Sequence, residues 1–150
     1  LVYDPFVDEK IIKSLGGKKI VDLEKALKET DILSMSVPLT ENTKNMISYK
    51  QISLMKKNAI IINASRGGIV NEKDLNEALE KKVIFGAGLD VFENEPPDDK
   101  NPLLKNKRIM LSPHAATFTQ ECLSKMSVET VQNIIDFFEG KLDQKSIAKI

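Results

Sequence analysis

The chain has a single cysteine, Cys122, and so cannot close an internal disulfide, which fits a reducing cytosol. Cys122 lies in a helical pattern, where packing suits it better than nucleophilic chemistry. An excess of either charge is missing too: 22 basic residues balance 22 acidic ones. That removes the attraction that nucleic acid or an anionic membrane would require of a partner. No apolar run approaches the roughly 18 residues of a membrane span, and no stretch reads as a secretory signal. Nor is there an initiating methionine. The chain opens on Leu1-Val2-Tyr3-Asp4, within a strand pattern, so the expectation is of something cut from a longer polypeptide.

What is present suffices for a packed core. The chain has 150 residues, about one domain's length, and 41% of them are apolar. Strand-like and helix-like segments alternate without a linker or repeat, the signature of βαβ units. A strand stub at Leu1–Tyr3 precedes a helical pattern over Pro5–Leu15 that closes at Gly16 and Gly17. Lys19–Val21 reads as a strand, Leu23–Glu29 as a helix, and Asp31–Val37 as a strand stopped by Pro38. Ser48 caps a short helix over Tyr49–Met55, and Ala59–Asn63 is the clearest strand. Asn71 then caps a helix whose Leu75, Ala78 and Leu79 share one face. Strands follow at Val83–Asp90 and Arg108–Ser112. Thr119–Glu139 is a long amphipathic helix, with Leu123, Met126, Val131, Ile134, Ile135 and Phe138 on its apolar side and Gly140 at its end. The remaining tail is polar.

Chemistry concentrates where strands end. Ile60-Ile61-Ile62-Asn63 runs into Ala64-Ser65-Arg66-Gly67-Gly68, a buried strand delivering an arginine into a glycine turn. An arginine there can grip a carboxylate or phosphate through two parallel hydrogen bonds, although a single such turn is equally compatible with an ordinary surface arginine. Asp4 follows the opening strand, where a dinucleotide-binding fold places an acid for the adenosine ribose, although Asp-Pro is also a plain turn. The seven glycines never form the Gly-x-Gly-x-x-Gly loop that would precede it. Gly86-Ala87-Gly88 opens a strand that leaves at Asp90 towards Glu95-Pro96, and Leu111-Ser112-Pro113 leads to His114, the single histidine. A lone histidine is more often structural. Here, however, an arginine, two acids and the natural neutral-pH acid/base converge on one sheet edge.

Taken together, Val-Tyr-Asp-Pro at 2–5, Val-Pro-Leu-Thr at 37–40, Asn-Ala-Ser-Arg-Gly-Gly at 63–68, Gly-Leu-Asp-Val-Phe at 88–92 with Glu95-Pro96, and Ser-Pro-His-Ala-Ala at 112–116 resemble the nucleotide-binding domain of the D-isomer-specific 2-hydroxyacid dehydrogenases. The resemblance extends from Val2 to about Gly140. It implies an α/β, Rossmann-like, doubly wound parallel sheet that lacks its first strand and glycine-rich loop, with residues 1–140 a partial NAD-binding domain and 141–150 a tail leading back towards an absent substrate domain. By the same resemblance, Arg66 binds and polarises the keto acid, His114 is the acid/base, and Glu95 orients His114 and favours its protonated form. NAD contacts are implied for Asp4, Val37, Pro38, Thr43, Ala64, Ser65, Arg66, Asp90, His114, Ala115, Ala116 and Thr117. No metal is assigned.

The substrate implied is a small 2-hydroxy or 2-keto acid, the compartment cytoplasmic, and the complete protein a homodimer; the isolated chain is expected to be inactive, since the diphosphate would lack its helix N-terminus. Phe118 departs from the family pattern, which bears on substrate identity. Other readings are an NAD(H)-binding corepressor-like protein, a truncated interaction domain, and a related dehydrogenase for amino or thioether substrates, the last disfavoured by the complete arginine, glutamate and histidine set.

Overall fold

The computed structural model describes residues 1–147, in two compact units, Leu1–His114 and a second beginning at Ala115. In the first unit the order is β1 (Val2–Tyr3), α1 (Glu9–Ser14), β2 (Lys19–Ile20), α2 (Leu23–Glu29), β3 (Ile32–Met35), α3 (Tyr49–Ile52), β4 (Ile60–Asn63), α4 (Glu72–Glu80), β5 (Gly86–Leu89), a short 3₁₀ turn at Pro102–Lys105, and β6 (Ile109–Leu111). All strand pairing is parallel. The strands form two sheets, β1-β2 and β3-β4-β5-β6, where the sequence reading expected one. Among the described residues β1 pairs only with β2 and β3 only with β4, so no strand bridges the two sheets.

The four-stranded sheet follows from its side chains. Isoleucines at 60, 61 and 62 suit a strand covered on both faces, and Ile61 is fully buried. Its neighbour β5 is built of small residues because Ile62 lies against it: a Cβ on Gly88 would sit 3.2 Å from Ile62 Cδ1. Leu27, Ile47, Ile52, Leu75, Leu79, Ile84 and Leu103 complete a core of fully buried side chains. Each such burial contributes roughly 1.5–3 kcal/mol before the entropy of ordering the chain is subtracted.

The helix starts are fixed by short polar side chains. Asp22 accepts from Lys25 N at 3.0 Å and Asn71 from Asp74 N at 2.9 Å, each satisfying an amide that the first helical turn leaves unpaired. The first helix begins at Glu9 and not at Pro5. Asp4 Oδ1 takes the amides of Phe6 (2.8 Å) and Val7 (3.1 Å) into a turn, and Asp8 then caps Lys10 N at 2.7 Å. The strand expected over Asp31–Val37 is confined to Ile32–Met35, and that over Val83–Asp90 to Gly86–Leu89, preceded by a turn with Lys82 at φ 57°. The helix from Tyr49 ends at Ile52.

In the second unit, α5 (Gln120–Phe138) is capped by Thr119, which accepts from Cys122 N at 3.2 Å, and ends at Gly140, whose φ of 68° suits glycine. It is amphipathic, as its spacing predicts, yet none of its residues is buried. A 3₁₀ turn at Gln144–Ser146 follows within the tail expected at 141–150, of which residues 148–150 lie outside the described residues. Among the described residues no helix is long and apolar enough to cross a membrane.

Candidate active site

Strand register assembles the site. Met35 pairs with Asn63, Asn63 with Leu89, and Leu89 with Leu111. The strands therefore end together, and the segments that follow them emerge side by side: Ser36-Val37-Pro38, Ala64-Ser65-Arg66, Asp90, and Ser112-Pro113-His114. This is the edge at which open α/β sheets bind ligands.

The arginine turn is shaped by Asn63, which is 2% exposed. Its Oδ1 accepts from the Ser65 amide (3.1 Å) and hydroxyl (2.8 Å), and its Nδ2 donates to the Arg66 carbonyl at 2.9 Å. With that buried amide satisfied, the turn is held while the exposed Arg66 guanidinium rests on the Ser65 carbonyl at 2.6 Å. Gly67 then lets this turn press on the segment after β5. A Cβ there would lie 1.8 Å from the Phe92 carbonyl oxygen, so only glycine fits. Asn63 is absent from the site residues read from sequence; the signal was an amide closing a run of isoleucines.

Beside that segment, His114 Nδ1 meets Glu95 Oε2 at 2.8 Å. The carboxylate only accepts, so Nδ1 carries the hydrogen and donates. Glu95 Oε1 also accepts the Phe92 amide at 3.0 Å. The hydrogen bond from His114, then that from Phe92, holds the Glu95 carboxyl below the usual carboxylate range, against opposing effects of desolvation and Asp90. His114 has a φ of 53°, in the left-handed region that a non-glycine residue occupies only when its surroundings fix it. What fixes it is its amide, which donates to the Asp90 carbonyl at 2.8 Å. The Asp90 amide in turn donates to the Asn63 carbonyl at 2.9 Å, and its buried carboxylate accepts the Ser112 hydroxyl at 2.6 Å. Glu95, His114, Phe92, Leu104 and Leu111 border a cavity of about 490 Å³.

The remaining candidates fall in three places. Val37, Pro38, Ala64, Ser65 and Arg66 line a cleft of about 450 Å³ between the ends of β3 and β4. Thr43 supports its rim: the hydroxyl donates to the Pro38 carbonyl at 2.6 Å and accepts the Thr40 amide at 2.8 Å. Asp4 stands at the end of β1, its carboxyl held below its ordinary range by the Phe6 and Val7 amides. Ala115, Ala116 and Thr117 belong to the second unit. A dinucleotide suits this donor set. The cleft offers an apolar floor for a ring with amide and hydroxyl partners, and Asp4, outside it at the end of β1, offers an anionic carboxylate for ribose hydroxyls.

Open parallel α/β sheets of this kind bind dinucleotides at their strand ends. The chain belongs to the D-isomer specific 2-hydroxyacid dehydrogenase family, whose NAD binding domain matches residues 1–116. It is 45% identical over 142 residues to a glyoxylate reductase of Korarchaeum cryptofilum, covering 95% of this chain and 42% of the reductase. Against a D-3-phosphoglycerate dehydrogenase of Methanocaldococcus jannaschii the identity is 39%, over 97% of this chain and 28% of the enzyme. Among solved structures, D-lactate dehydrogenase with NAD+ from Lactobacillus jensenii superposes with a TM-score of 0.84 at 31% identity, covering 98% of this chain and 47% of that one. The chain thus spans less than half the length of these relatives.

Proposed function

We propose that this chain is the catalytic part of the NAD-binding domain, over residues 1–140, of a cytoplasmic dehydrogenase that interconverts D-2-hydroxy acids and 2-keto acids in the manner of glyoxylate reductase and phosphoglycerate dehydrogenase. Residues 141–150 form the tail leading towards the substrate domain, the sheet is a doubly wound one lacking its first strand and glycine loop, and the complete protein is a homodimer. The observation that carries the reading is the 2.8 Å Glu95–His114 pair at the same strand edge as the arginine turn.

In this reading Arg66 turns from the Ser65 carbonyl to the substrate carboxylate and draws electron density from the adjacent ketone. His114 holds Nδ1–H on Glu95, which leaves Nε2 to give a proton to the ketone oxygen during reduction and to take it from the hydroxyl during oxidation. Glu95 fixes the ring and balances the charge that appears on it. Bound NADH supplies the hydride. Asp4 accepts from the adenosine ribose and disfavours a 2′-phosphate, while Val37 and Pro38 face the adenosine with Thr43 alongside. Ala64, Ser65 and Asp90 serve the nicotinamide carboxamide, and Ala115, Ala116 and Thr117 are assigned to the cofactor by sequence match alone.

The test is a chimera in which this chain replaces the matching 142 residues of the Korarchaeum reductase. It should reduce glyoxylate or hydroxypyruvate with NADH, with a higher kcat/KM than with NADPH, and Asp4→Asn should narrow that preference. A folded chimera that binds NADH and reduces neither acid would favour the corepressor-like reading instead.

A further inference from the structure

Glu95 stands on a stretch, residues 93–101, that contains no helix or strand. An irregular loop keeps a carboxylate at 2.8 Å from a histidine when its ends are tied to something rigid. Here both ends are tied to one side chain. Glu72, the first residue of α4, accepts the Glu93 amide on Oε1 at 2.5 Å and the Asn101 side-chain amide on Oε2 at 2.6 Å. The first of these ties is reciprocal: the Glu72 amide, left without a helical partner in the first turn of α4, donates to Glu93 Oε1 at 3.1 Å. The second is anchored in the core, since Asn101 Oδ1 also accepts the amide of the fully buried Leu103 at 3.0 Å. Glu72 follows Asn71, the cap of α4, whose own amide donates to the Ile47 carbonyl at 3.0 Å. A carboxylate fixed to a packed helix therefore closes the loop at both ends.

We propose that Glu72 is a positioning residue of this site: by clamping both ends of the 93–101 loop it holds the Glu95 carboxylate against His114, and it acts through Glu95 instead of on substrate or cofactor. The proposal rests on the reading of Glu95 and His114 as the acid/base pair, but its test needs no catalysis. A clamp and a mere surface charge differ in sign. Removing a neighbouring carboxylate would, by charge alone, let Glu95 ionise more readily and lower its pKa. Releasing the clamp instead weakens the bond from His114, the largest influence that holds the Glu95 carboxyl down, and so raises it. The other groups that bear on Glu95 are the Phe92 amide, which lowers its pKa, and Asp90, which raises it. Both precede Glu93 in the chain and lie outside the clamped stretch.

The test is a carboxyl NMR titration of Glu95 in this chain. Glu72→Ala should raise the Glu95 midpoint towards that of His114→Ala. Glu72→Gln should raise it less, because the glutamine carbonyl oxygen still accepts the Glu93 amide while its NH₂ group opposes that of Asn101. Asn101→Ser keeps a cap for the Leu103 amide but is too short to reach Glu72, so it too should raise the midpoint. Glu77→Ala removes another carboxylate of α4, one engaged with Lys81 at 2.6 Å, and should leave the midpoint in place. The proposal is overturned by an unmoved or lowered midpoint in Glu72→Ala, or by an equal rise in Glu77→Ala. If Glu72→Ala does not fold, the Gln and Ser variants decide: a rise in both upholds the clamp, and its absence from either overturns it. An inactive chimera would sink the catalytic reading and leave these midpoints untouched.

Discussion

Glu95 accepts from His114 and from the Phe92 amide, and both bonds favour its ionised form. Since its carboxyl lies below the ordinary value, what the pair adds to folding is complete above the pKa of an unfolded glutamate, about 4.3, and is lost as pH falls through the lower folded value. In His114→Ala, a carboxyl NMR titration should move the Glu95 midpoint upwards and stop short of the ordinary value, because Phe92 still donates; an unmoved midpoint would mean that the pair does not exist in solution. Gly67 makes a separate claim on stability. Gly67→Ala should cost roughly 2–4 kcal/mol in denaturant unfolding, as the methyl group meets the Phe92 carbonyl and the arginine turn must shift. A change under 0.5 kcal/mol would contradict that close approach. At this scale Arg66, Glu95 and His114 were legible as residue types at strand ends. The hydrogen bonds of Asn63 were not, because its three partners depend on how the turn folds back.

Elements were legible where side chains act on their own backbone. Asn71 was read as a cap and does accept from Asp74 N. Asn71→Ala should therefore destabilise the chain by about 1 kcal/mol, whereas Asn71→Ser should recover most of the loss. Equal stability of all three proteins would remove the cap from the account. Pro5–Leu15 was misjudged at its start for a related reason: Asp4 takes the amides of Phe6 and Val7 and Asp8 that of Lys10, and the apolar spacing alone does not say which carboxylate begins the helix. The strand limits at Met35 and Leu89 depended on the ladder with β4, a non-local pairing absent from any one segment. The turn at Pro102–Lys105 went unread, although Asn101 caps it and Leu103 is fully buried beneath it.

At the scale of the molecule, the alternation of strands and helices was enough for a parallel α/β fold, and five motifs in order were enough for the family. The division into two sheets was not readable, since each strand looks the same whether or not a neighbour reaches its far edge. The catalytic claim is a property of the whole edge, because Arg66, Glu95 and His114 arrive on three separate segments that strand register brings out side by side. Its most direct test is kcat/KM for NADH-dependent reduction of glyoxylate or hydroxypyruvate by the chimera with the Korarchaeum reductase, compared with its His114→Ala variant. The account expects a fall of about 10²- to 10⁴-fold, well beyond any change in NADH affinity. Equal values in the two proteins would contradict it.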